Sequence, residues 1–231
     1  QEIRENYLRT LERIEAAKAR RDPAMGDVTL LCATKTVPAE EILYAINELG
    51  LRAVGENKVQ EFLSKYDALR GTVPLHIIGH LQTNKVKYIV GVVDLIESVD
   101  RLELLQCIEK QAEKLGIVQD ILLEVNIGGE AAKSGFAPQE VENAAAQAKE
   151  MDHVRVRGLM TIPPADATRE ENVVYFQKVQ ALYVDINRKM YDNELEYLSM
   201  GMSGDFADAI RAGANMVRVG TAIFGARDYS K

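Results

Sequence analysis

The chain has only two cysteines, Cys32 and Cys107, among its 231 residues. They share no motif spacing and sit in apolar stretches, which points to buried reduced thiols rather than a disulfide or a metal site. No apolar run approaches the length that crosses a bilayer, and Gln1 to Arg21 is charged throughout where a signal peptide would carry an apolar core. A cytoplasmic protein with no membrane partner is expected. The sequence also has no basic block, and its formal net charge is −7. A nucleic-acid backbone, whose neutralisation takes clustered Lys and Arg, is therefore not the expected partner. A small anionic ligand needs only a few local donors and is compatible with that charge. None of the early strand-to-helix turns carries G-x-G-x-x-G, which argues against an open dinucleotide-binding sheet.

What the chain does have is a hydrophobic fraction of 47%, which suits one continuous core better than two small ones, so a single domain over residues 1–231 is expected. Ile3, Tyr7, Leu11 and Ile14 recur at helical spacing, and Arg20-Arg21-Asp22-Pro23 ends that leading helix. Behind it, short runs of strand formers alternate with helical patterns. The strands are expected at Val28 to Ala33, Leu51 to Val54, Leu75 to Ile78, Val92 to Ile96, Asp120 to Val125, Val154 to Met160, Glu196 to Ser199 and Met216 to Val219. Eight strand–helix units with short connections predict an α/β fold, a closed (β/α)8 barrel (TIM barrel) with an extra N-terminal helix.

Ligands of such barrels bind where the strands end. The expected strand ends present Lys35, Asn57, Gly79-His80, Ser98, Asn126, Met160-Thr161, Ser203-Gly204 and Gly220-Thr221. Lys35, just past an apolar strand, could enter the barrel mouth among low-dielectric walls, where desolvation lowers an amine's pKa and raises the neutral fraction able to attack an aldehyde, although local sequence alone favours a solvated surface lysine. Met200-Gly201-Met202-Ser203-Gly204-Asp205-Phe206 is a small-residue turn running into a helix, suited to a phosphate, although Ser203 or Asp205 would serve equally as a cap. Gly220-Thr221 supplies a second glycine and hydroxyl in the adjoining loop, the usual phosphate cradle of this architecture. Arg218, between Val217 and Val219, faces the opposite side of its strand from both.

Several motifs in the right order carry a resemblance over nearly the whole chain: Ala33-Thr34-Lys35-Thr36, Val54-Gly55-Glu56-Asn57-Lys58-Val59-Gln60-Glu61, His76-Ile77-Ile78-Gly79-His80-Leu81-Gln82-Thr83-Asn84-Lys85, Val125-Asn126-Ile127-Gly128, Gly158-Leu159-Met160-Thr161, Ser199-Met200-Gly201-Met202-Ser203 and Met216 through Gly225. The chain resembles the pyridoxal phosphate homeostasis proteins, whose fold is similar to the N-terminal barrel of alanine racemase. It departs in having Leu75 where the family usually has an aromatic residue before His76. The resemblance implies that the cofactor is pyridoxal 5′-phosphate (PLP, the active form of vitamin B6), held as a Schiff base on Lys35. It places the phosphate on Ser203, Gly204, Gly220 and Thr221, Arg218 facing the pyridine nitrogen, Asn57 and Met200 along the ring, and His80 near the mouth.

An Arg at that nitrogen stays protonated and offers no acceptor, so it weakens the ring as an electron sink. Racemisation would need an acid/base group on each face of the substrate, and Lys35 accounts for one. The chain ends at Lys231, just past the eighth unit, so the second domain that helps complete the site in alanine racemases is not expected. The resemblance therefore implies a non-catalytic carrier in PLP homeostasis, with PLP-dependent apoenzymes as recipients, and the lack of an extra apolar stripe on the leading helix and on Phe176 to Met190 favours a monomer. The alternatives are a slow amino-acid racemase, with His80 or a tyrosine as second base, and a Schiff-base aldolase acting on a phosphorylated sugar.

Overall fold

A computed structural model describes residues 1–130, 133–226 and 230. The terminal residue Lys231 lies outside the described residues. Eight parallel strands close into a barrel in sequence order: β1 (Thr29–Ala33), β2 (Ala53–Glu56), β3 (Leu75–Ile77), β4 (Leu95–Val99), β5 (Gln119–Val125), β6 (Val154–Thr161), β7 (Tyr197–Ser199) and β8 (Met216–Val219). The helices are α1 (Glu2–Lys18), α2 (Ala39–Leu49), α3 (Val59–Leu69), α4 (Val86–Ile89), α5 (Leu102–Leu115), α6 (Pro138–Lys149), α7 (Arg169–Met190), α8 (Phe206–Arg211) and α9 (Thr221–Phe224). Among the described residues, no helix is long and apolar enough to cross a membrane.

The period of two along each strand divides the core into two apolar compartments. Outward residues such as Cys32, Val54, Ile96, Leu123, Leu159, Val217 and Val219 pack against the helices in one large cluster. Inward residues fill the barrel in two smaller ones, Leu31, Ala33, Ala53, Ile78 and Met216 on one side and Leu95, Leu122 and Met160 on the other. Helix α1 packs on α8 and α9 with Tyr7, Thr10, Ile14 and Ala17 buried. This covers the outside of the seam where β8 pairs with β1.

Two strands start two or more residues later than the apolar runs suggest. Leu51 is buried as the close of α2, its N–H bonded to Ala45 O, and β2 begins at Ala53. Val92 and Val93 turn after α4, and β4 runs on to Val99 through buried Glu97 and Ser98. Ser98 is therefore inside a strand, as are Met160 and Thr161. A strand that continues through a buried carboxylate is hidden from an apolar count, because the partners that satisfy Glu97 come from other strands. Cys32 is buried as expected, whereas Cys107 is only half-buried; both are free thiols.

Strand β6 carries one extra residue. Ile121 faces Val156 and Leu122 faces Gly158, so Arg157 bulges out of the ladder. The neighbouring Gly158 sits so close to β7 that an added Cβ would lie 1.7 Å from Tyr197 O. Gly158→Ala must push β6 and β7 apart and should destabilise the fold by about 3 kcal/mol, read as a lower urea midpoint; an unchanged midpoint would refute this account of the β6–β7 contact.

Candidate functional site

The C-terminal ends of the strands surround a cavity of about 310 Å3, within the range of small-molecule sites. Lys35 enters it from the β1–α2 turn on the same face as inward Ala33, and Asn57 lines it just beyond β2. Ile78, Ile162 and Met202 give it apolar walls, while Ser203, Gly204, Gly220 and Thr221 form a polar rim. Arg218, 3% exposed, reaches the same cavity from β8. Seven of the positions singled out in the sequence thus meet in one place.

Two do not. Met200 follows inward Ser199, so it turns outward and is fully buried in the cluster beneath the helices. His80 stands at the surface, its side chain 54% exposed, with Nδ1 3.1 Å from Asp100 Oδ2. Neither is among the residues lining the cavity. The strand-end residue Asn126 is used locally, its side-chain amide donating to Glu130 O at 2.7 Å. The apolar walls went unnoticed in the sequence, although Ile78 lies two residues beyond inward His76 and the strand period assigns it the same face.

Neither Ser203 nor Asp205 caps α8 through its side chain. Asp205 precedes α8 without a capping bond from its side chain, which instead accepts the Met202 N–H at 2.7 Å. Ser203 Oγ reaches across to the next loop and accepts the N–H groups of Gly220 at 3.4 Å and Ala222 at 3.2 Å. Its own proton is left to donate. The backbone N–H groups of Ser203, Gly204 and Thr221 have no acceptor among the described residues. Convergent donors at a rim of small residues are what an oxyanion such as a phosphate requires.

Below the rim, the barrel interior holds a chain of charge-assisted hydrogen bonds. Arg218 donates to Ser199 Oγ at 2.5 Å and to Thr161 O at 2.9 Å. Ser199 donates onward to Glu97 Oε1 at 2.6 Å, and Glu97 Oε2 lies 2.7 Å from His76 Nδ1. The carboxylate can only accept, so Nδ1 carries the proton. Burial would raise the Glu97 pKa, but the His76 bond, the charges of His76 and Arg218, and the Ser199 hydroxyl together hold it below the ordinary carboxylate value. Burial pushes the Arg218 pKa down, against the pull of Glu97, Glu124 and Asp205; a guanidinium starts high enough to remain protonated.

Residues 11–228 match the alanine racemase N-terminal domain family. A pyridoxal phosphate homeostasis protein of Aquifex aeolicus is 47% identical over 226 residues, 97% of this chain and 98% of that protein. The chain belongs to the pyridoxal phosphate homeostasis protein family. Its barrel superposes on PipY of Synechococcus elongatus, solved with PLP bound, with a TM-score of 0.79 and 31% identity over 93% of this chain and 99% of that one. Alanine racemase of Clostridium difficile shares the fold alone: the TM-score is 0.72 at 17% identity, over 96% of this chain and 57% of that one.

One titrating group of this family member carries no signal in the sequence. Glu124, inward on β5, has its pKa pushed up to about 7, first by burial and then by the neighbouring Asp100, with Arg218 partly offsetting both. A folded pKa above the ordinary 4.5 gives a contribution to stability that is whole below about pH 4.5 and is lost as pH rises through about 7. Across that window the stability of the ligand-free protein relative to Glu124→Gln should fall by about 3 kcal/mol. Urea unfolding of both proteins at each end checks this, and a pH-independent difference would count against it.

Proposed function

We propose that this chain binds PLP through a Schiff base at Lys35 and serves PLP homeostasis as a carrier, without robust catalysis. The cavity suits the cofactor in kind as well as in size. A lysine stands on one wall, apolar side chains suit the faces of an aromatic ring, and the unpaired N–H groups of Ser203, Gly204 and Thr221 suit its phosphate. The names of the relatives and the PLP bound to PipY support the same choice. The residues that would hold PLP are Lys35 covalently, Ser203, Gly204, Gly220 and Thr221 at the phosphate, Arg218 at the pyridine nitrogen and Asn57 beside the ring. His80 and Met200 are left out of that set.

When bound, PLP supplies an electrophilic aldehyde and an electron-withdrawing ring. Arg218 opposes protonation of that ring, because its charge is permanent and its N–H groups are fixed toward Ser199 and Thr161. The observation that carries the carrier reading is the lining itself. Apart from Lys35, none of the described residues lining the cavity is a His, Tyr, Cys, Asp or Glu, whereas two-sided proton transfer takes an acid/base group on each face of the substrate. The same proposal takes the carrier as a cytoplasmic monomer that passes PLP to apoenzymes, and the homeostasis named for its relatives supports the carrying role.

Borohydride reduction of the PLP-loaded protein should fix a pyridoxyl phosphate on Lys35, found by mass, and Lys35→Ala should lose it. Ser203→Ala should weaken PLP binding about tenfold, the worth of one hydrogen bond to a charged group. An adduct that survives Lys35→Ala would sink the assignment. Rapid exchange of amino-acid α-protons in deuterated water, followed by NMR, would replace the carrier with a racemase.

A further inference from the structure

The backbone around Lys35 is strained. Thr34 to Val37 form a turn closed by Val37 N–H donating to Thr34 O at 3.0 Å, with Lys35 and Thr36 at its centre. Thr36 has φ +64°, the sign that the third residue of a type II turn requires and that glycine or asparagine normally supplies. A β-branched residue there is an outlier, costing roughly 1–2 kcal/mol. Flipping the Lys35–Thr36 peptide would convert the turn to type I and relieve Thr36. Something must hold that peptide in place.

Helix α3 does so. The Glu61 carboxylate accepts the Thr36 N–H at 2.8 and 3.1 Å from its two oxygens, which holds the peptide after Lys35 against the flip. Lys65, buried on the same helix, donates to Thr34 O at 2.9 Å and so holds the peptide before Lys35. Lys65 is anchored in turn by Glu56 Oε1 at 2.9 Å, and Thr34 Oγ1 donates to that same oxygen at 2.5 Å. Glu61 lies 3.6 Å from Lys65, four residues on along the helix. Both peptide planes flanking the Lys35 Cα are thus pinned by charged side chains, and the direction of the Lys35 side chain follows from those planes.

We propose that Glu61 and Lys65 form a clamp on the strained turn and are positioning residues for Lys35, with Glu61 as the catch that keeps the Lys35–Thr36 peptide from flipping. This inference rests on Lys35 being the PLP anchor. Without the catch, Thr36 relaxes, the amine leaves the orientation the cavity requires, and cofactor is released sooner. The same logic makes Thr36→Gly a suppressor. Glycine accepts the positive φ freely, so the turn keeps its form without Glu61.

The test follows release of PLP from the loaded protein, read as loss of its visible absorbance after dilution, in wild type, Glu61→Ala, Glu61→Gln and the double variant Glu61→Ala with Thr36→Gly. Loss of one charge-assisted hydrogen bond should speed release about tenfold in Glu61→Ala. Glu61→Gln, which keeps an acceptor oxygen, should stay within about threefold of wild type, and the glycine should restore most of the loss in the double variant. A clamp that merely braced α3 would give no such rescue. In the native protein, the Thr36 amide should also exchange slowly with deuterated water, a reading that needs no variant to fold. Unchanged release in Glu61→Ala, absence of rescue, or fast exchange at Thr36 would overturn the clamp and leave PLP binding intact. Failure of wild type to form the Lys35 adduct would instead remove the PLP reading, and this inference with it.

Discussion

The interior of this barrel is organised by one permanent charge. Arg218 is almost wholly removed from water, and a guanidinium cannot escape burial by giving up its proton. Its donors must therefore meet acceptors, and the barrel supplies them from three other strands: Thr161 O on β6, the Ser199 hydroxyl on β7 and, through Ser199, the Glu97 carboxylate on β4. Glu97 then takes the His76 ring from β3 as its second partner. Leaving one member of such a set unpaired costs several kcal/mol, so the polar chain fixes the relative placement of the strand ends. The apolar clusters below it could be filled by many combinations of similar side chains.

The same charge shapes the chemistry above it. Glu97 is kept ionised and serves as the remote counterion, whereas Glu124, beside Asp100, is pushed toward neutrality. Inward acids thus divide by neighbourhood: the one linked to Arg218 through a hydroxyl keeps its charge, and the one facing another carboxylate tends to hold a proton. Two glutamates in one barrel interior differ in this way because burial penalises both and only one has enough positive partners.

Much of this was legible in the sequence, for reasons that can be named. Strand β8 lies where the apolar run from Met216 places it, and the other seven strands fall within a few residues of their apolar runs. Lys35 was legible because it keeps the face of Ala33 two residues earlier, and the same alternation would have turned Met200 outward had it been applied past Ser199. The end of β4 was not legible, since Glu97 reads as a surface residue until His76, Ser199 and Arg218 are brought to it from distances of 21, 102 and 121 positions along the chain. The contact of Ser203 with Gly220 and Ala222 left no local trace either. Nor did the clamp on Thr36, which depends on α3 lying against the β1–α2 turn.

The bond from Ser203 to the following loop changes how the mouth can move. Because Ser203 Oγ accepts from both Gly220 and Ala222, the loop before α8 cannot swing outward without breaking two hydrogen bonds to the loop before α9. The two loops behave as a single rim. Displacing either loop therefore draws the other with it, through the one hydroxyl that joins them.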